Sequence, residues 1–271
     1  MLTLYHHNLS VCSQKVRLQL EEKKIPWHGE FVDLLRGDHL KPQFLRINAR
    51  GLVPALVHDG SVIIESTVIL EYIEDVFPEP PLRPSMPALR AQMRVWEKLP
   101  DDGLHAACGT ISFAAAFAEQ LARGTNAEAL ERRLATMPDP ERANRQRLLI
   151  RDGFETPFVL QAVGVYERML DEMNAALEKT DGPYLVGSQF TLADVALAPY
   201  VERLDRLGLS RLWENARPHV ARWFSRVRER ASFKAAFDPY EPHGYDDLVR
   251  RGGVDLWPKI EPLLNCRARA G

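Results

Sequence analysis

The sequence predicts a small α/β domain followed by an all-α domain. In residues 1–77, some stretches have apolar residues at every second position, as in strands. Between them lie stretches with the apolar period of helices. Four prolines within Pro78–Pro84 then interrupt regular structure, because proline removes a backbone donor and restricts the residue before it. From Ala88 to Phe237 the apolar period is helical. We therefore divide the chain into a first domain at 1–78, a linker at 79–87, a helical domain at 88–237 and a tail at 238–271.

The elements of the first domain follow the order strand, helix, strand, helix, strand, strand, helix. The predicted strands are Leu2–Tyr5, Glu30–Asp33, Ala55–His58 and Val62–Ile64. A helical period through Val16, Leu18 and Leu20 follows the first strand. Asp59-Gly60 joins the last two strands, and this dipeptide is a strong signal for a tight hairpin. The resulting βαβαββα order is the thioredoxin-like arrangement.

Three features stand out in the second half of the chain. Thr191, with Asp194 three residues later, predicts a helix that begins with a capping box. The segment Thr125–Thr156 is an insertion in which Met137–Pro140 separates two charged helical stretches. The tail Asp238–Gly271 is rich in Pro, Gly and aromatic residues. Insertion and tail either shape a substrate pocket or form an extra surface helix and a packed tail, and loop statistics favour the second interpretation.

Composition argues against several classes of protein. The 271-residue chain carries 35 basic and 37 acidic residues without a long block of one sign, so we expect no nucleic-acid partner. No apolar run is long enough to span a bilayer and no leader precedes the first strand, so we expect a soluble, cytoplasmic protein with no membrane partner. Cys12, Cys108 and Cys266 cannot all pair and lack the spacing of metal ligands, so we expect free thiols, no structural disulfide and no metal site.

The most informative segment is Leu52–Leu56, where a proline lies among apolar and β-branched residues. Proline cannot donate to a strand ladder, so Pro54 belongs at an edge or in a bend. Such a bend would turn the N–H and C=O of Val53 outward, ready to pair with an extended peptide ligand. Glu65 and Ser66 follow at a strand-to-helix junction, where a carboxylate, a hydroxyl and free N–H groups can receive the amine and the carboxylate of one ligand.

Motifs in both halves of the chain carry a family resemblance. They are Asp38–Phe44, Ile47-Asn48, Val53–Leu56 and, in the helical part, Phe190–Asp194. The first three motifs resemble the theta class of the glutathione transferase superfamily, and the last resembles the capping box in the helical domain of that superfamily. The resemblance implies the glutathione transferase fold, glutathione as co-substrate, a cis peptide bond before Pro54, and a homodimer with the active site near the subunit boundary.

The same resemblance implies a set of residues that bind glutathione. They are His39, Lys41, Leu52, Val53, Pro54, Glu65 and Ser66. Glu65 and Ser66 would hold the γ-glutamyl end, whereas His39 and Lys41 would reach the glycyl carboxylate. Several relatives have lysine where this chain has Leu52, and Arg50 is the cation that could replace it.

A narrower likeness rests on longer stretches. They are Ile47–Gly60, Glu65–Ile69, Glu74–Glu79 and Met93–Trp96. These stretches resemble the β-etherases of lignin-degrading bacteria, in which glutathione displaces an aryloxide from a β-aryl ether. The implied second substrate is a hydrophobic, electrophilic, aromatic small molecule. Aromatic residues of the helical domain suit such a ligand, although a helical core is their more common role: Trp96, Phe113, Phe117, Phe154, Phe158 and Tyr166.

The chemistry requires that the co-substrate be held as a thiolate, because the thiolate is the nucleophile. The start of the first helix offers unpaired N–H groups and the positive end of the helix dipole, and a hydroxyl there adds a charge-assisted hydrogen bond. Ser10, Cys12 and Ser13 fall at this turn. Ser10 has the offset of the theta-class serine, Ser13 aligns with a β-etherase serine, and Cys12 matches the cysteine of zeta isomerases. We rank them Ser10, Ser13, Cys12 as the catalytic residue, and each is equally a candidate helix N-cap.

The leading hypothesis is therefore a glutathione transferase that attacks an electrophilic carbon, with conjugation, β-aryl ether cleavage or dehalogenation as the outcome. One alternative is a protein of the same fold that binds partners and has little catalytic activity. The other alternative is a thiol transferase in which Cys12 exchanges disulfides with glutathione.

Overall fold

The computed structural model describes residues 1–123, 126–241 and 245–268. One mixed sheet of four strands forms the centre of the first domain, in the order β2-β1-β3-β4. The strands are β1 (Leu2–His6), β2 (Trp27–Phe31), β3 (Ala55–His58) and β4 (Ser61–Ile64). β1 and β2 are parallel, whereas the β1–β3 and β3–β4 pairs are antiparallel. With its helices this sheet confirms the predicted βαβαββα order.

The second strand lies earlier in the chain than predicted. We predicted Glu30–Asp33, but β2 covers Trp27–Phe31 and pairs from Leu2 opposite Trp27 onward. β2 is an edge strand whose residues are mostly exposed, so its sequence lacks the alternation that marks a half-buried strand. Asp33 instead begins a turn, because its carboxylate accepts the N–H groups of Leu35 at 2.9 Å and Arg36 at 3.0 Å.

The helices confirm the predicted fold class, an α/β part followed by an all-α part. In the first part they are α1 (Val11–Glu22), α2 (Pro42–Leu45) and α3 (Ser66–Val76). The later helices are α4 (Pro87–Lys98), α5 (His105–Ser112), α6 (Ala118–Arg123), α7 (Ala127–Ala135), α8 (Pro140–Asp152), α9 (Pro157–Lys179), α10 (Leu192–Arg206), α11 (Pro218–Glu229), α12 (Ala231–Phe237) and α13 (Tyr245–Ala268). Short π-helical turns at Pro100–Leu104 and Phe113–Phe117 precede and follow α5. None of the described helices has both the length and the apolarity to cross a bilayer.

Helix α1 joins the two parts of the molecule. It packs against α3 of its own domain and against α10 and α12 of the helical part. Its apolar residues Val16, Leu18 and Leu20 are fully buried, as is the side chain of Arg17. α10 is buried along most of its length, so it forms the centre of the helical domain. The two domains therefore share one core, and α1 carries its N-terminal turn directly into the cleft between them.

The predicted capping box of α10 is confirmed. The Asp194 carboxylate accepts the Thr191 N–H at 2.9 Å and the Thr191 hydroxyl at 3.1 Å. It also accepts the N–H of Leu185 and the indole N–H of Trp223, at 3.1 and 2.8 Å. A local capping signal thus also joins α10 to α11 and to the preceding loop.

The insertion forms the two predicted helices, α7 and α8, although Thr125 itself lies outside the described residues. Leu134, Met137 and Ala143 form a small apolar cluster of their own, and Leu40 of the first domain packs against it. In the tail, α13 contacts the π-helical turn Phe113–Phe117, with residues 242–244 and 269–271 outside the described part. This helix was not predicted, because Pro258 and Pro262 within it read as helix breakers.

Candidate active site

The turn between β1 and α1 carries all three residues that were candidates for catalysis. Ser10 is the N-cap of α1, and its Oγ accepts the N–H of Ser13 at 3.2 Å. Ser13 is fully buried, and its Oγ accepts the N–H of His7 at 3.4 Å. Ser10 remains partly exposed. Ser10 therefore keeps part of its surface open at this turn, whereas Ser13 is enclosed by protein.

Cys12 meets two residues of the helical domain. Its Sγ lies 3.5 Å from Nδ1 of His105 on α5 and 3.8 Å from the hydroxyl of Tyr200 on α10. The Tyr200 hydroxyl and the His105 Nδ1 are themselves 3.3 Å apart. Cys12 is partly exposed, Tyr200 is buried and His105 lies at the open edge of the cleft. Three elements thus contribute to one thiol-centred cluster.

The electrostatics of this cluster favour an ionised thiol. Burial alone would raise the pKa of Cys12, but the charge and the hydrogen bond of His105 lower it, and Lys15 and a hydrogen bond from Ser66 add to this effect. The net result is a pKa of about 6 for Cys12. The charge of Cys12 in turn raises the pKa of His105, against the effect of burial. Both shifts favour the ion pair of a Cys12 thiolate and a His105 imidazolium over the neutral pair.

His105 and Tyr200 were not identified from the sequence, and no local signal would have found them. They lie 93 and 188 residues after Cys12. Neither belongs to a spaced motif, and Tyr200 lies within an almost fully buried helix, where it reads as a core aromatic residue. Cys12 and Cys108 are free thiols, while the side chain of Cys266 lies outside the described residues.

The predicted bend around Pro54 lies beside the end of β1, where Ala55 pairs with Tyr5. The Val53–Pro54 peptide bond is cis, which confirms the expectation from the family resemblance. Pro54 is buried, and the side chain of Asn48 donates to the C=O of Leu52 at 2.8 Å. Within the described residues neither the N–H nor the C=O of Val53 has a hydrogen-bond partner. Both groups are therefore available to an extended peptide ligand.

Glu65 and Ser66 lie at the start of α3, with Glu65 in a left-handed backbone conformation at φ 69°. Lys15 of α1 is fully buried beneath them, and its Nζ donates to Ser66 Oγ at 3.1 Å and to Thr67 Oγ1 at 3.2 Å. The Arg50 guanidinium forms an ion pair with the Glu65 carboxylate. Arg50, the cation suggested in place of the missing lysine, is therefore paired with Glu65, a predicted binding residue.

His39 and Lys41 lie in and beside the short helical turn Asp38–Leu40. His39 is buried, and burial, followed by the charges of Arg142 and Arg133, lowers its pKa to about 4. It is therefore a neutral imidazole at neutral pH. Lys41 is exposed, and its Nζ lies 2.5 Å from Oδ1 of Asp38. Of this pair, only Lys41 can contribute a positive charge toward a carboxylate.

Comparison with known proteins identifies the family of this chain. Sequence models of the glutathione S-transferase N-terminal and C-terminal domains match residues 9–76 and 127–226. Protein LigF of Sphingobium sp. strain SYK-6 is 34% identical over 258 residues, which cover 92% of this chain and 97% of that protein. The chain belongs to the glutathione S-transferase family. Glutathione is accordingly the co-substrate of this glutathione S-transferase, and the expected resemblance is confirmed.

Solved structures agree with this assignment. The crystal structure of β-etherase LigF superposes with a TM-score of 0.80 at 33% identity, covering 88% of this glutathione S-transferase and 99% of that chain. A glutathione transferase homologue from Sulfitobacter with bound glutathione has a TM-score of 0.65 at 25% identity and covers 88% of this chain. Glutathione S-transferase TCHQD of Arabidopsis thaliana is 28% identical over 252 residues, which cover 88% of this chain and 90% of that protein.

The thiolate–imidazolium pair gives a direct prediction. We expect Cys12 to be alkylated by iodoacetamide with a pH midpoint of about 6, because only the thiolate reacts. The variant His105→Gln should move this midpoint upward, since it removes the positive charge that lowers the pKa of Cys12. Peptide mass spectrometry at each pH assigns the reaction to Cys12.

His28→Gln is the matched control, because His28 is exposed on the edge strand and pairs with Glu30. This variant should keep the midpoint of the unmodified protein. If Cys12 of the unmodified protein were alkylated with a midpoint near the pKa of an ordinary thiol, the proposed Cys12–His105 ion pair would be contradicted.

Proposed function

We propose that this glutathione S-transferase cleaves β-aryl ethers. The glutathione thiolate attacks the carbon that bears the aryloxide, so a C–S bond forms while the C–O bond breaks and the aryloxide leaves with the electron pair. The observation that supports this proposal is the likeness to β-etherase LigF over nearly its whole length. That likeness includes the helical domain, where the second substrate would be bound, as well as the glutathione half.

We propose that the Ser10 hydroxyl donates a hydrogen bond to the glutathione sulfur. It caps α1, so the sulfur would lie at the positive end of that helix. Its partial exposure supports it over Ser13, whose hydroxyl is enclosed. Val53 would pair with the glutathione backbone, and Leu52 and Pro54 would form the wall beside it. Glu65 and Ser66 would hold the γ-glutamyl end, with Lys15 supporting Ser66 from below.

The aromatic side chains of the helical domain differ in their suitability for a second substrate. Tyr166 is fully buried and belongs to the core. Trp96 lines a groove between α4 and α9 together with Ala176 and Lys179, apart from the catalytic turn. Phe117 lies under the guanidinium of Arg203, which also donates to the C=O of Leu9 just before Ser10. We therefore propose Phe117 as an aromatic wall of the substrate site.

The Ser10 assignment is testable with a β-aryl ether that releases a chromogenic phenol. Ser10→Gly should lower the glutathione-dependent rate about tenfold or more, as expected for the loss of one donor to a developing or stabilised anion. Glycine is the informative substitution, because replacing a serine N-cap by glycine costs the helix only a few tenths of a kcal/mol. Initial rates at saturating glutathione measure the effect.

Ser61→Ala serves as the control, because Ser61 is exposed on β4 and distant in sequence from the turn. It should retain the full rate. An unchanged rate in Ser10→Gly would refute the role of Ser10, and the absence of any phenol release by the unmodified protein would refute ether cleavage.

A second function, thiol transfer through Cys12, is favoured by the Cys12–His105 geometry. The Cys12 thiolate would attack the disulfide of oxidised glutathione, forming a mixed disulfide and releasing one glutathione thiolate. The thiolate of another thiol compound would then attack the glutathione sulfur of the mixed disulfide, which forms a new glutathionyl disulfide and restores the Cys12 thiolate.

For this second function we expect one glutathionyl adduct on Cys12 after incubation with oxidised glutathione, detected by intact-protein and peptide mass spectrometry. Cys12→Ser should abolish the adduct and leave ether cleavage within about twofold, since Ser10 is the proposed donor in that reaction. An adduct found only on Cys108 or Cys266 would argue against thiol transfer through Cys12.

We also infer a homodimer, as the family resemblance implies, and a cytoplasmic location, as the unpaired thiols suggest. Val68 on α3 and Val95 on α4 are 55% and 64% exposed, and Arg94 of α4 bonds to Glu71 of α3 at 3.1 Å. A second copy of the chain would cover these apolar side chains. Static light scattering should give twice the 30.8 kDa chain mass. Val95→Asp should lower that mass, whereas a monomeric unmodified protein would contradict the dimer.

A further inference from the structure

The insertion rests on the loop that carries His39. Arg133 of α7 donates hydrogen bonds to the C=O groups of Leu34 and Leu35. Leu40, at the other end of the same loop, packs against the apolar cluster of Leu134, Met137 and Ala143. Polar and apolar contacts therefore hold loop 33–41 from both ends, so the insertion is part of the wall of the first domain at this point.

Arg142 is presented at this contact by the start of α8. Asp139 caps the helix by accepting the Arg142 N–H at 3.0 Å, and the next residue, Ala143, is buried in the cluster with Leu40. The Arg142 side chain is half-buried. In the described part of the chain its guanidinium has no hydrogen-bond acceptor, and Asp139 provides only a longer-range attraction.

The charges of two insertion arginines act on the buried His39. Each of these three groups also has one nearby carboxylate that attracts it: Asp38 for His39, Asp33 for Arg133 and Asp139 for Arg142. His39 is 4% exposed, and its Nδ1 is enclosed without a hydrogen-bond partner among the described residues. Besides burial, the charges of Arg142 and Arg133 lower the pKa of His39, and the Arg142 charge also extends across the cleft to His105. Buried polar atoms are normally satisfied, and neighbouring cations repel unless a negative group lies between them. The arrangement is therefore suited to an anionic ligand.

This cluster borders the backbone groups that are free to pair with a peptide. A Cβ built on Gly51 would lie 3.1 Å from the C=O of His39, so the His39 loop touches the chain two residues before Val53. An extended peptide advances about 3.3–3.6 Å per residue. A tripeptide paired at Val53 with its first residue at Ser66 would therefore direct its last residue toward His39 and Arg142.

We propose that Arg142 of the insertion binds the terminal glycyl carboxylate of glutathione, with His39 as a neutral hydrogen-bond donor beside it. The proposal rests on glutathione pairing with Val53 as described under the proposed function. It gives the insertion a role in binding the co-substrate, in addition to its packing against the first domain. A guanidinium can hold a carboxylate through two parallel hydrogen bonds, which the exposed Lys41 cannot do.

The test compares two ligands that differ only at the proposed contact. S-methylglutathione cannot react, and its glycyl ethyl ester lacks the terminal negative charge. Isothermal titration calorimetry should show Arg142→Gln binding S-methylglutathione about tenfold more weakly than the unmodified protein, while both proteins bind the ester equally. Arg132→Gln is the matched control, because Arg132 is exposed one residue from Arg133 and pairs with Glu128 at 2.5 Å.

Several results would overturn the proposal. Equal weakening for acid and ester would mean that Arg142 acts only by holding the loop, and unchanged binding of both would mean that it does not meet glutathione. If Arg142→Gln instead raised the KM only for aromatic substrates that carry a carboxylate, the anion would belong to the second substrate. The calorimetry requires no ether substrate, so failure of ether cleavage would leave this result standing.

Discussion

The position of the catalytic turn depends on two buried arginines that hold its carbonyl groups. Arg17 of α1 donates to the C=O of His7 at 3.3 Å and to that of Asn8 at 3.0 Å, and its Nε donates to the C=O of Ala236 at 2.8 Å. Arg203 of α10 donates to the C=O of Leu9. These bonds join the first strand, the first helix and the helical domain at one point. Buried guanidinium groups need such acceptors, since an unpaired buried charge is strongly destabilising.

The consequence is that side chains from both domains meet at the Cys12 sulfur beside this turn. Burial lowers the pKa of Arg17 to about 10, so it remains charged at neutral pH and lies 4.0 Å from the centre of the Tyr240 ring. With the turn fixed, Ser10 and Cys12 approach the cleft on neighbouring positions of α1. A Cys12 thiolate next to an incoming glutathione thiolate is unfavourable unless His105 remains protonated. The balance between the two proposed chemistries therefore depends on the proton held by His105.

Insertion and tail contribute to the structure in different ways. The insertion helices α7 and α8 pack on the loop of His39, at the edge of the glutathione half of the cleft. The tail helix α13 packs against the π-helical turn that follows α5, and Phe117 is the last residue of that turn. Both segments therefore contact elements that are distant from them in sequence, the His39 loop and the turn after α5.

The sequence by itself determined the features that depend on a few adjacent residues. The hairpin at Asp59-Gly60, with φ values of 49° and 85°, and the capping box of Thr191 and Asp194 follow from local backbone preferences. The cis bond before Pro54 and the family followed from motifs of fixed spacing.

Only the tertiary structure decided which candidate side chains are accessible and which are charged. It buried Ser13, left Cys12 beside His105 and Tyr200, and surrounded His39 with arginines from the insertion. Burial and electrostatic fields depend on residues that are far apart in the chain, so no short sequence pattern carries them. For the same reason the sequence placed β2 too late in the chain and did not predict α13. Pairing at a sheet edge and packing against a distant helix override local propensity.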